Sequence, residues 1–162
     1  CVSGLHSKGA DLDLTLITDN GTEPPIEEQR EMVKTLSKAL EASGDMASVS
    51  ARPNARVPIV ALEDKTTKLK CDICMCNRLA LLNSQLLLAY CSLDERVRPL
   101  CYIIKYWAKR RMINDPYSGS PSSYAYVLLV IHYLQTCQPP VLPCLQALRG
   151  GAWASDPKAM MA

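Results

Sequence analysis

The sequence predicts an α+β fold, a small strand-rich lobe followed by a helical one. Three observations lead there. Between Asp11 and Leu16 the leucines 12, 14 and 16 alternate with Asp11, Asp13 and Thr15, the period of a strand with one buried face. A second alternation surrounds Asp72, with Cys71, Ile73 and Met75 on the inward side. After Asn77 the apolar spacing changes from two to the three-and-four repeat of helices.

The elements follow in order. Residues 1–10 form a Gly/Ser loop leading into the first acidic strand. Pro24-Pro25 opens a helix that places Ile26, Val33, Leu36 and Leu40 on one side and ends at Gly44. Segments 46–51, 57–62 and 69–76 are expected as strands, separated by Pro53-Asn54 and by a charged turn at Glu63-Asp64-Lys65. Residues 79–90 form the next helix. Ser92-x-x-Glu95 is expected as the capping box of another, with the apolar stripe Val97, Leu100, Cys101, Ile104 and Ala108. Asn114 to Pro121 is a turn-rich loop, and Ser122-Ser123 caps a third helix. That helix is apolar nearly all round and is therefore expected at the centre of the helical lobe, with His132 as a core histidine. A short Leu-rich piece follows Pro139-Pro140. The expected division is 1–76 for the strand-rich lobe, 77–148 for the helical lobe and 149–162 for an irregular tail.

Composition narrows the classes. With 162 residues, nearly half of them hydrophobic, the chain can bury one core or two small ones, without any Phe. Its net charge of +2 says little about partners. Between Asp94 and Arg111, however, six basic residues (Arg96, Arg98, Lys105, Lys109, Arg110, Arg111) face two acids (Asp94, Glu95). Such a patch suits a triphosphate or a nucleic-acid backbone; an ordinary solvated helix face is the alternative. The eight cysteines match no zinc or disulfide pattern, and Cys71 and Cys74 should point to opposite faces of their strand. Cys91, Cys101 and Cys137 are expected as small core residues. A reducing, intracellular compartment follows, the cytoplasm first, with mitochondrion and nucleus as alternatives. The most apolar run, 124–134, is too short to span a bilayer, so no membrane partner is expected. No signal peptide is visible, and the start at Cys1 leaves room for a targeting segment upstream.

The acids carry the chemistry. On one strand Asp11 and Asp13 project from the same side and repel each other unless a cation lies between them. If the strand around Asp72 pairs with theirs, three carboxylates converge on one point, a divalent-metal site of the phosphoryl-transfer kind. The structural alternative is a charged edge strand that blocks aggregation.

These motifs, in this order, resemble the terminal uridylyltransferases and the cytoplasmic-type poly(A) polymerases, of the DNA polymerase β-like nucleotidyltransferase superfamily. The likeness rests on Ser3-Gly4-Leu5 followed by Ala10-Asp11-Leu12-Asp13-Leu14, on Ala55 to Val60, on Cys71-Asp72-Ile73 with Asn77, and on Lys105, Lys109 and Ser123-Tyr124. It implies a polymerase β-like palm, a mixed sheet with flanking helices, followed by a helical nucleotide-binding lobe. It implies Asp11, Asp13 and Asp72 as catalytic residues and as ligands of two Mg2+ (or Mn2+) ions, with Asp72 acting near an RNA 3′-hydroxyl. Ser3 would belong to the nucleotide-binding residues, Asn83 would contact the ribose 2′-hydroxyl, and Lys105 and Lys109 the triphosphate with Ser123 beside them. Tyr124 would stack on the base. From the residues alone, Asn83 reads equally as a polar surface residue and Tyr124 as a core aromatic at a helix start.

Two departures from the family pattern stand out. A Gly-Ser pair expected just before Ser3 is missing, as is the later helical segment that carries base-selecting residues, so a piece of a longer enzyme is expected. The resemblance implies a template-independent RNA 3′-terminal uridylyltransferase using UTP. A poly(A) polymerase using ATP is the first alternative. An inactive RNA- or protein-binding pseudoenzyme and a polymerase or nucleotide-cyclising enzyme on the same palm are the others. The expected partners are an NTP and an RNA 3′ end; protein partners stay open.

Overall fold

The computed structural model describes residues 4–6, 10–18 and 22–148. Ser3 and the expected tail 149–162 lie outside them. The backbone divides into two compact units, one being His6–Leu81 and the other Leu82 onward together with Gly4 and Leu5.

The first unit is built on a mixed sheet. Its elements are β1 (Leu12–Leu16), α1 (Ile26–Ser43), β2 (Met46–Arg52), β3 (Ile59–Asp64) and β4 (Lys70–Met75), with strand order β1-β4-β3-β2. β1 and β4 run parallel, whereas β4, β3 and β2 form an antiparallel ladder. α1 starts after Pro25 with Glu27 and Glu28 in its first turn, where carboxylates offset the helix dipole, and stops at Gly44 with φ 72°. The side chain of Gln29 donates to Pro24 O at 2.8 Å and so ties the first turn to the chain before it. Val33, Val60 and Met75 form the core, wrapped by Met32, Leu36, Leu40, Val49 and Ala51. At the β3–β4 turn, Asp64 accepts hydrogen bonds from Thr67 N, then Thr67 Oγ1, then Thr66 N, which hold its carboxyl below the usual range.

Two expectations about this unit fail. Ile26 is exposed, because the buried line of α1 runs through Gln29, Val33 and Ser37. Leu14 and Leu16 are 43% and 45% exposed within the fold. β1 is an edge strand, and α1 packs on β2, β3 and β4, so the leucine face of β1 lies beyond the helix's cover.

The second unit is helical, with α2 (Arg78–Leu93), α3 (Val97–Arg110), α4 (Ser123–Thr136) and α5 (Leu145–Leu148). α2 begins in the first unit and continues into the second. Leu87, Tyr90, Cys91, Val97, Cys101, Val127, Val130, Ile131 and Leu134 make its core, and Leu5 is buried among them. The Tyr90 hydroxyl gathers three helices: Leu145 N donates to it at 3.1 Å, Gln135 Nε2 donates to it at 2.8 Å, and it donates to Gln146 Oε1. Burial pushes the Cys101 thiol up to about 11, as expected of a core cysteine. Among the described residues no helix is long and apolar enough to cross a membrane.

Here too the structure corrects the sequence. Ser92 is no helix cap: it lies inside α2 and its hydroxyl donates to Leu88 O at 2.9 Å. Asp94 holds that turn instead, accepting from Arg96 N and Arg96 Nε, both at 2.9 Å. α4 begins as expected, with Ser122 Oγ accepting from Ala125 N. It is not buried all round, for Leu129 and Tyr133 are 58% and 61% exposed, and His132 is exposed with them. Its core side is the line Tyr126, Val127, Val130, Ile131 and Leu134. Cys137 ends the helix, half-buried, not within the core.

Candidate active site

Strand pairing decides where the acids stand. In the parallel β1–β4 pair, Leu12 faces Cys71, Asp13 faces Asp72 and Thr15 faces Cys74. Cys71, Ile73 and Met75 are buried, so Asp72 and Cys74 occupy the opposite face of the strand. Cross-strand partners share a face, which puts Asp13 beside Asp72, and Asp11 precedes Asp13 by one period. The carboxyl of Asp13 is raised above its usual range by burial first, then by the charge of Asp72, then by that of Asp11. Burial, then the same Asp72 and Asp13 charges, also raises the Cys71 thiol.

Among the described residues no ion pair offsets this charge. Among the described residues the ion pairs are Arg30–Glu27, Lys34–Glu31 and Arg96–Asp94, and none reaches the three acids. Nor is any group of three His, Cys, Asp or Glu side chains among the described residues already gathered as a ligand set. The carboxylates feel one another without closing on a shared point. Their donor set, hard anionic oxygens on an open sheet face with mutual repulsion unrelieved, fits Mg2+ or Mn2+.

The ends of these strands are tied together. Cys76 N donates to Leu16 O at 2.7 Å and Asn77 N donates to Thr15 Oγ1 at 2.9 Å. The Asn77 side chain then accepts from Ala80 N at 3.0 Å, capping α2. Thr15 and Asn77 thus hold the register that sets Asp13 against Asp72. Sequence reasoning gave neither of them a role, although Asn at the junction of strand and helix is an N-cap signal.

The helical unit carries the remaining candidates. Asn83 is half-buried on α2. Lys105 and Lys109 lie one turn apart on α3, but their states differ. Lys105 is partly buried and its ammonium donates to Leu5 O at 2.7 Å, while Lys109 is exposed. Burial lowers the Lys105 ammonium below its usual range. Ser123 donates to Asn114 Oδ1 at 2.8 Å in the first turn of α4, and Tyr124 beside it is 39% exposed. Tyr124 is thus no core residue, and its ring is accessible.

A mixed sheet with two facing acids on its open side, followed by helices, is the palm of a nucleotidyltransferase. Residues 1–92 match the family model described as poly(A) RNA polymerase, mitochondrial-like, central palm domain, and the chain belongs to that family. It is 36% identical over 160 residues to poly(A) RNA polymerase GLD2 of Danio rerio, covering 97% of this chain and 32% of that protein. To terminal uridylyltransferase cid1 of Schizosaccharomyces pombe it is 38% identical over 149 residues, covering 88% and 35%. The chain therefore spans about a third of the length of these relatives. Among solved structures it is similar to the Cid1 poly(U) polymerase with MgGTP bound, at TM-score 0.78 and 36% identity, covering 90% of this chain and 45% of that one. It is also similar to a GLD-2/RNP-8 complex, at TM-score 0.85 and 31% identity, covering 95% and 48%.

Proposed function

We propose that this chain is the catalytic core of a template-independent RNA nucleotidyltransferase that transfers UMP from UTP to an RNA 3′-hydroxyl. The observation that carries the reading is the facing pair Asp13 and Asp72, set on an open sheet face and joined to no ion pair among the described residues. In the reaction the 3′-hydroxyl oxygen bonds to the α-phosphorus of the nucleotide, the bond from that phosphorus to the bridging oxygen breaks, and pyrophosphate leaves. Asp11, Asp13 and Asp72 would hold two divalent ions, which supply charge neutralisation on the phosphates and a more acidic hydroxyl. Asp72 acts near the attacking hydroxyl. Lys105 and Lys109 take triphosphate charge, Ser123 adds a hydroxyl donor, Asn83 meets the ribose 2′-hydroxyl, and Tyr124 stacks on the base.

ATP is the second donor reading, favoured by the similarity to poly(A) RNA polymerase GLD2. The test is incorporation of UTP, ATP, CTP and GTP onto an RNA primer by the full-length protein, with and without Mg2+. Metal-dependent addition led by UTP is expected. Addition led by ATP moves the protein to the polyadenylating branch, and no addition with any nucleotide leaves an RNA- or protein-binding pseudoenzyme.

A further inference from the structure

Three side chains of α3 converge on two consecutive backbone carbonyls. Arg98 Nη1 donates to Gly4 O at 3.0 Å, and Tyr102 Oη donates to the same oxygen at 3.2 Å. Lys105 Nζ donates to the next carbonyl, Leu5 O, at 2.7 Å. The steps of four and three residues put all three donors on one face of the helix. Below them the Leu5 side chain is 5% exposed and anchored in the helical core.

The backbone at Gly4 is shaped to this clamp. Its φ is +64°, and a Cβ added there would stand 1.9 Å from Arg98 Nη1 and 2.9 Å from Arg98 Cζ. The positive φ favours glycine, and any Cβ there would push the guanidinium out of its present place. Because C=O and N–H point opposite ways across a trans peptide, holding these two carbonyls toward α3 turns the N–H groups of Leu5 and His6 away from it. A short loop held at two residues by three donors has one conformation in which to meet a ligand. Lys105 already has a second claim on it, the triphosphate. Arg98 keeps its charge at any working pH, and its guanidinium is directed at Gly4 O.

We propose that Arg98 is a positioning residue for nucleotide binding, acting by fixing the Gly4–Leu5 backbone that also receives the Lys105 ammonium; this rests on the nucleotidyltransferase reading above. Tyr102 supports it as a second donor to the same carbonyl. The guanidinium touches no reacting atom, so its effect falls on nucleotide capture and not on the chemical step.

The experiment uses the full-length protein and the variants Arg98→Gln, Arg98→Lys and Tyr102→Phe. It measures hydrogen exchange across residues 4–6 without nucleotide, melting temperature, and KM and kcat for UTP on an RNA primer. For Arg98→Gln, exchange in that segment and the KM should both rise about tenfold, the scale of one charge-assisted hydrogen bond, with kcat within about twofold. Arg98→Lys, keeping one cationic donor, should restore part of both losses, and Tyr102→Phe should shift both in the same direction by less. Unchanged exchange in residues 4–6 overturns the proposal, as does faster exchange with KM unmoved. A fall in kcat and melting temperature together, unrelieved by Arg98→Lys, overturns it in favour of a purely structural arginine. If the wild-type protein incorporates no nucleotide, the nucleotidyltransferase reading fails. Protection of residues 4–6 by titrated UTP, lost in Arg98→Gln, would then still support Arg98's role, and its absence would overturn it.

Discussion

Asp13 and Asp72 face each other across the parallel β1–β4 pair, two carboxylates at the same level of one sheet with Asp11 a period away. Like charges set directly opposite each other on neighbouring strands destabilise the pair. Burial and the two neighbouring acids make Asp13 hold its proton more tightly than a free carboxyl does. A divalent cation placed between these carboxylates would relieve that repulsion.

Removing one of the charges should therefore separate stability from function. We expect Asp13→Asn to stabilise the metal-free protein by a few tenths to about 1 kcal/mol in urea unfolding. The same variant, like Asp72→Asn, should lose about a hundred- to a thousandfold or more in nucleotide addition, since each removes a charged ligand without removing volume. A destabilised Asp13→Asn that still adds nucleotides would take Asp13 out of the metal site.

The two lysines should part company. Lys105→Ala deletes the bond to Leu5 O and should cost about 1 kcal/mol of stability as well as nucleotide affinity. Lys109→Ala, at an exposed position, should raise the KM for nucleotide with no change in the melting curve. Equal melting shifts for both variants would mean that the Leu5 bond contributes nothing.

Tyr124→Ala should weaken all four nucleotides by a similar factor, about 1–3 kcal/mol, because stacking does not read a base's polar edge. KM values for UTP, ATP, CTP and GTP provide the check. A loss confined to one base would give Tyr124 a hydrogen-bonding role.

The turn between α2 and α3 should set part of the acid limit of stability. Hydrogen bonds from the Arg96 side chain, then from Arg96 N, hold Asp94 at about 2 against an ordinary 3.8. A carboxyl depressed in the folded state contributes stability above its unfolded value and loses it as pH falls from 3.8 through about 2. Asp94→Asn should remove that portion of the acid limb, seen as a shallower decline than wild type in unfolding midpoints between these pH values. Parallel declines would show that the pairing contributes nothing to folding.

Tyr90→Phe should destabilise the helical unit by about 1–3 kcal/mol, since it strips Leu145 N and Gln135 Nε2 of their acceptor in a buried place. Thermal unfolding of the variant measures it. An unchanged midpoint would mean that water takes the place of the hydroxyl.

Some of this was legible in the residues because it rests on local chemistry. Alternation of leucines with acids predicts which residues of β1 share a face, and the same period separates Cys71 from Cys74 on β4. Pro25 and Gly44 mark the ends of α1 because proline's fixed φ suits a helix start and glycine suits the left-handed cap. Ser122 caps α4 as its position before an apolar run suggests. Ser92 misled because a hydroxyl inside a helix can donate to the carbonyl four residues back as readily as it can cap a new helix.

Dihedral preference and side-chain period act within a few residues, so the order of strands and helices and the side on which each acid projects are readable from the residues. Which strand became β1's neighbour rests on long-range packing, and that packing brought Asp72, distant in sequence, opposite Asp13. Packing alone left Leu14 and Leu16 of β1 and one side of α4 uncovered, because burial depends on what packs above a face and not on how apolar that face is. It alone placed Leu5 in the helical core and Gly4 under Arg98, as contacts between residues nearly a hundred positions apart carry no local signature.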